Sequence, residues 1–352
     1  MKTYKMRLLS LFILVLLLAT VVSGCAPAAE EEAVEPAEET GEEIEPLRVA
    51  LLLGGPLSDA SWSAHAYKGL MEIQRIYGAE VAYSENLELA QMESAFRDYA
   101  SQGYDLIIGH GFEFGEPAMK VAEDFPDVKF AIFQGAAVAD NVASWDMRHD
   151  EGAYIAGTLA ALMTESGIIG LLGGLPFPNV IRGTEAFKQG AKAANPDVKI
   201  IEVYTNDGNN PAKGKEATLS MIDAGADVVY HMANADGLGM IEAAKERGIY
   251  AIGCYLDQHE VAPENVLTSN VQDMPRVIVL MYEAVVNGTF EGKIFNPGLA
   301  DGTVYMAPYY EFDNVIPEEV KEKVNEVTQG IIDGTLTYEL RYEITEDEVW
   351  KP

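Results

Sequence analysis

The sequence predicts an α/β protein of two doubly wound parallel-sheet lobes joined by a multi-crossover hinge. Three observations carry this. Short apolar runs alternate with stretches of about 10 to 15 residues of helical period, the pattern of βαβ units and parallel sheets. The runs are too many for one compact sheet, and a break near 141–150 divides them about evenly. The segment after Cys254 is too short for a third domain, so its pieces are expected to return to the first lobe and then the second.

The elements follow in order. The buried run LRVALLL opens at Leu47 and is followed by a helix over 60–77, the strand EVAYS and a helix over 89–102. DLIIG, a helix over 118–124 and KFAIF complete the first series. The second series is a helix over 151–163, IIGLL, a helix over 180–194, KIIEVY, a helix over 212–224, DVVYH, a helix over 238–247 and YAIGC. LTSNV, an amphipathic helix over 274–286, TVYMAPY and a polar helix over 318–333 close the pattern. The expected lobes are 47–146 plus 257–300, and 147–256 plus 301–340. Two hinged lobes enclose a cleft that closes on a ligand, and in such sheets the ligand lies beyond the carboxyl ends of the strands.

The N-terminal segment reads as an address. Lys2, Lys5 and Arg7 precede the apolar run 8–22, the order of a secretory signal, and fifteen residues fall short of the ~20 needed to span a bilayer. The end of this 1–25 segment, VSGC, looks like a bacterial or archaeal lipobox with Cys25 as the lipidated residue, anchoring the chain to the extracytoplasmic face of the cell membrane. Residues 26–46 carry nine Glu and no base, and too few large apolar side chains to offset ordering entropy, so they read as a solvated tether. Only Cys25 and Cys254 exist, so no internal disulfide framework is expected.

Charge narrows the partners. The chain has 24 Lys and Arg against 56 Asp and Glu, a formal charge of −32. Nucleic-acid binders neutralise phosphates with basic clusters, so nucleic acid is not an expected partner, and anionic lipid headgroups are equally poor ones for the folded surface.

Motifs for catalysis do not assemble. G-x-S-x-G, H-E-x-x-H and the EF-hand loop are missing, and His65, His110, His149, His231 and His259 show no metal-ligand spacing. GNNPAKGKE at 208–216 has one residue too many for a phosphate loop and Glu216 where a Ser or Thr is required. The first βα turn lacks G-x-G-x-x-G. No metal, no cofactor and no enzymatic activity are expected.

The strand-end loops instead carry aromatic rings, amides and carboxylates. After the first strand come Asp59, Ser61 and Trp62; after the third, Gly109, His110, Gly111 and Phe112. The second series supplies Phe177, Asn206, Asn234, Asp236, Tyr255 and Asp257. Planar apolar faces with a few polar groups suit a flat heterocycle with hydrogen-bonding edges. Plainer roles stand beside these: Trp62, Phe112 and Phe177 as core residues, Asp59 as a helix cap, Asp257 as a hinge or surface acid, His110 as a loop residue bonded to backbone.

Six segments in order, SDASWSAHAYKGL, GYDLIIGHGFEF, NVASWDMRHDEGAYIAGTLAALM, NPAKGKEATLSMIDAGADVVYH, GLGMIEAAKERGIYAIG and DQHEVAPENVLTS, resemble the basic membrane protein (BMP) family. These are ABC-transporter solute-binding lipoproteins related to the purine nucleoside receptor, and the resemblance runs from about residue 47 to 337. It implies a type I periplasmic-binding-protein fold and capture of a purine nucleoside, a nucleobase or riboflavin. It also implies delivery to a membrane permease driven by a cytoplasmic ATPase. Trp62 matches the family's first-lobe aromatic and Asp59 its acid. The chain departs from the family where an aromatic gives way to Gly208, an Asp on ribose hydroxyls to Tyr255, and a Lys to a residue near Gln272. Losing both ribose-contacting types removes charge-assisted hydrogen bonds, so a free, adenine-like nucleobase is the expected ligand. A ligand sensor without transport and an extracellular nucleoside-processing enzyme remain the other readings.

Overall fold

The computed structural model describes residues 46–59, 62–208 and 210–345. Cys25, the rest of the expected signal segment and nearly all of the tether lie outside the described residues, as does Ser61.

The first strand, β1 (Arg48–Leu53), shows why these sheets form. Val49, Leu51 and Leu53 join one apolar core while Ala50 and Leu52 join another on the opposite face, so both faces of the strand are covered. Helix α1 (Trp62–Tyr77), β2 (Glu80–Ser84), α2 (Leu89–Ser101), β3 (Leu106–His110), α3 (Gly115–Ala122), β4 (Lys129–Phe133) and β5 (Val142–Trp145) continue the first lobe. Then come α4 (His149–Met163), β6 (Ile168–Gly173), α5 (Pro178–Ala194), β7 (Lys199–Tyr204), α6 (Pro211–Asp223), β8 (Val228–Met232), α7 (Asn234–Arg247) and β9 (Tyr250–Tyr255). The described elements finish with β10 (Val266–Gln272), α8 (Met274–Val286), β11 (Ile294–Phe295), β12 (Val304–Met306) and α9 (Glu318–Ile332).

Among the described residues two six-stranded sheets form, in the orders β11-β5-β4-β3-β1-β2 and β12-β10-β9-β8-β6-β7. The pairings are parallel except that of β10 with β12. Two expectations are corrected. The stretch 141–150 is not only a break: it holds β5, a strand of four buried residues too short to leave a periodic signal. Residues 257–272 do not open the return to the first lobe, because β10 pairs with β9 in the second sheet and the crossing begins at Asp273.

Three chain segments cross between the sheets and are stitched together by backbone hydrogen bonds. Asp146 N–H donates to Phe295 O at 2.9 Å, Arg148 N–H to Pro297 O at 2.8 Å and Asp273 N–H to Thr303 O at 2.7 Å. In the second lobe α4 and α5 pack with almost no space between backbones. A Cβ on Gly157 would strike the carbonyl of Phe187, and one on Gly190 the carbonyl of Tyr154. Small residues at such a crossing allow the close approach. That packing fixes Arg182 of α5 against the first crossing: it is 3% exposed, its Nη1 is 2.6 Å from an Asp146 oxygen, and its Nη2 donates to Met147 O at 2.7 Å.

Candidate functional site

A cleft of about 570 Å³ opens where the carboxyl ends of the two sheets converge. The first lobe lines it with Trp62, His65 and Gln134, the crossing with His149, and the second lobe with Phe177, Asn234, Tyr255 and Gln258 among others.

The Trp62 wall is built from strand register. His110 and Phe133 end β3 and β4 as direct partners, so their rings project on the same side and stack at 5.0 Å with a 9° angle. Trp62, the first residue of α1, leans on both: its ring is 4.4 Å from His110 and 5.5 Å from Phe133. It stays 36% exposed, a supported face turned to the cleft. On the second lobe, Phe177 precedes Pro178 at the start of α5; the proline ring disfavours helical backbone at Phe177, which is extended at the N-cap position and 57% exposed.

Strained backbone gathers here. Gln134, Asn234 and Tyr255 have φ of 52°, 35° and 71°, and all three line the cleft. Positive φ in a residue as bulky as Tyr costs of order 1–3 kcal/mol and persists where its surroundings over-determine it.

Charge is sparse along the cleft: among the described residues no Lys or Arg lines it, and the one lining carboxylate, Asp207, is paired with Lys213 at 2.9 Å. Burial, with the repulsion of Arg182, holds the His149 pKa below its usual value. Its ring is occupied by protein, Nε2 lying 2.8 Å from Asn179 O and Nδ1 3.1 Å from Arg182 Nη2. Burial pushes the Cys254 thiol up to about 12, so it stays protonated and is no nucleophile.

The expected site residues divide. Trp62, Phe177, Asn234, Tyr255 and Gln272 line the cleft, and His110 supports Trp62 from behind. Phe112, 78% exposed, faces an adjoining depression of the first lobe that shares Trp62 with the cleft. Asp59 ends the 3-10 turn Leu57–Asp59.

Others are elsewhere. Gly109 is a packing glycine, since a Cβ there would run into Phe114, and Gly111 supplies the φ of 142° that the following turn needs. Asn206 turns its amide back toward Tyr204 O at 3.5 Å. Asp236 is committed to its own loop: fully buried, it accepts from Thr205 Oγ1 at 2.5 Å and Asn210 N–H at 2.6 Å, holding the loop that forms the cleft wall. Asp257 is likewise committed, accepting from Tyr310 OH at 2.5 Å and His259 N–H at 3.1 Å.

Sequence reasoning missed Gln134, His149 and Gln258. Gln134 directly follows KFAIF, a strand end that the topology marks, and that position was its only signal. His149 lay in the stretch read as a break, and Gln258 beside the more conspicuous Asp257.

The chain is similar to known proteins over most of its length. A family model described as ABC transporter substrate-binding protein PnrA-like matches residues 47–339. A purine-binding protein of Brucella abortus is 32% identical over 295 residues, 83% of each chain. The transcriptional activator protein Med of Bacillus subtilis is 29% identical over 319 residues, 90% of this chain and 94% of that one. The crystal structure of an ABC transporter solute-binding protein from Aeropyrum pernix K1 superposes with a TM-score of 0.69 at 26% identity, covering 85% of this chain and 94% of that one.

Proposed function

The chain belongs to the PnrA-like family of ABC transporter substrate-binding proteins, and we propose that within it this protein captures a free purine nucleobase of the adenine type and releases it unaltered to a permease. The carrying observation is the cleft itself. A braced indole stands on one lobe, Phe177 and Tyr255 on the other, amides lie between them, and among the described residues no cation lines the walls. Stacking suits the faces of a base, amides suit its edges, and the lack of Lys and Arg disfavours a phosphorylated ligand. By the family resemblance, Tyr255 and a residue near Gln272 stand where ribose-contacting Asp and Lys would be expected, so the sugar gains little. The purine-binding relative from Brucella abortus supports the ligand class.

Capture works by differential affinity. A base held on Trp62 gains the second lobe's contacts only as the lobes approach, and that difference shifts the population toward the closed form a permease reads. The same reading puts the protein outside the cytoplasmic membrane, tethered through lipid on Cys25. The chain's charge of −32 speaks against DNA as a partner, in spite of the activator among its relatives.

Calorimetry with adenine, guanine, adenosine and riboflavin tests the ligand. Adenine is expected to bind at least as tightly as adenosine; adenosine much tighter than adenine overturns the nucleobase reading.

A further inference from the structure

Gln258 has an amide whose orientation is fixed from within. Its Oε1 accepts from the backbone N–H of Cys254 at 3.0 Å, and His231 Nε2 lies 2.8 Å from the same atom. A backbone N–H can only donate, so this atom is the carbonyl oxygen, and His231 must donate to it as well. The tautomer that does so leaves His231 Nδ1 bare, and that atom is buried with no partner among the described residues. The Gln258 backbone is pinned too, its N–H donating to Ser269 Oγ at 3.0 Å. Gly253 leaves the room: a Cβ there would come within 2.8 Å of Gln258 Oε1. With the oxygen saturated by two internal donors, the NH2 group is what the side chain has left for the cleft it lines.

We propose that Gln258 is a specificity-determining residue that reads the ligand as a donor only, so that the ligand must present a bare ring nitrogen or a carbonyl oxygen at this position. This rests on the nucleobase reading above and deepens it: a locked donor rejects a ligand edge that offers C–H or N–H there, because one side of the pair is left unmatched.

The test compares the full-length protein with Gln258→Glu, which keeps an oxygen for Cys254 and His231 and replaces the donor with an acceptor. Calorimetry at pH 8 uses adenine and its 1-, 3- and 7-deaza analogues, each lacking one ring-nitrogen acceptor. In the native protein one analogue is expected to bind at least tenfold more weakly than adenine. In Gln258→Glu that penalty should vanish, with adenine itself weakened about tenfold. Gln258→Met, which also removes the oxygen, should lose the same discrimination with a lower melting temperature. Equal penalties in native and variant proteins overturn the role of Gln258 and leave the ligand class standing. No binding of any purine by the native protein overturns both.

Discussion

The indole of Trp62 lies with its ring centroid 4.4 Å from the imidazole of His110, tilted by 36°, and His110 in turn stacks on Phe133. A side chain exposed by about a third is thereby held in one place, ready to stack without first losing rotamer freedom. Trp62→Ala is expected to weaken adenine binding by more than tenfold, since stacking a base on an aromatic ring contributes about 1–3 kcal/mol. Calorimetry checks this, and an unchanged dissociation constant would return Trp62 to a packing role.

Arg182 ties the first crossing to the second lobe through Asp146 and Met147 O, with Asp150 3.2 Å from its Nε. Removing one partner of a buried charged cluster costs about 3–5 kcal/mol. Arg182→Met should therefore unfold at clearly lower urea concentration, with the midpoint read by circular dichroism. A midpoint equal to that of the native protein would mean the crossing is held by its backbone bonds alone.

Stability should fall with acid in a defined window. Burial pushes His231 down to about 4 from its ordinary 6.5. Between those values the unfolded chain binds a proton that the folded one refuses, so this contribution is complete above pH 6.5 and is lost as pH drops toward 4. The loss reaches about 3 kcal/mol. His149 is shifted in the same direction. Urea titrations from pH 7 to 4.5 should show the decline, and His231→Gln should flatten it; a slope untouched by that substitution would refute the assignment.

Asp236 and Asp257 are expected to differ sharply. Asp236→Ala leaves Thr205 and the Asn210 N–H without their buried acceptor, at a cost of about 2–3 kcal/mol. Thermal melts should register that cost while Asp257→Ala leaves adenine affinity unchanged. Tighter or weaker binding by tenfold in Asp257→Ala would bring that acid back to the ligand.

How much of this was legible before the fold is clear residue by residue. KFAIF and KIIEVY are strands because their runs are short, apolar and bounded, and the sheets contain both as read. β5 was not legible: VASW has neither length nor alternation, and its burial comes from β4 and β11 beside it. Nor does LTSNV say which sheet it joins, since pairing with β9 is a long-range choice. In the site, the aromatic Trp62, Phe177 and Tyr255 stood out by type. Asp236 and Asp257 looked like ligand groups because sequence does not distinguish an acid that accepts from its own loop. Gln134 and Gln258 carry no signature in their residue type, and only their place where strand ends converge gives them a role.

Small-angle X-ray scattering of the full chain with and without saturating adenine tests capture by closure most directly. The radius of gyration should fall when the base is added, with adenine recovered unchanged afterwards. Superimposable curves at saturation would contradict it.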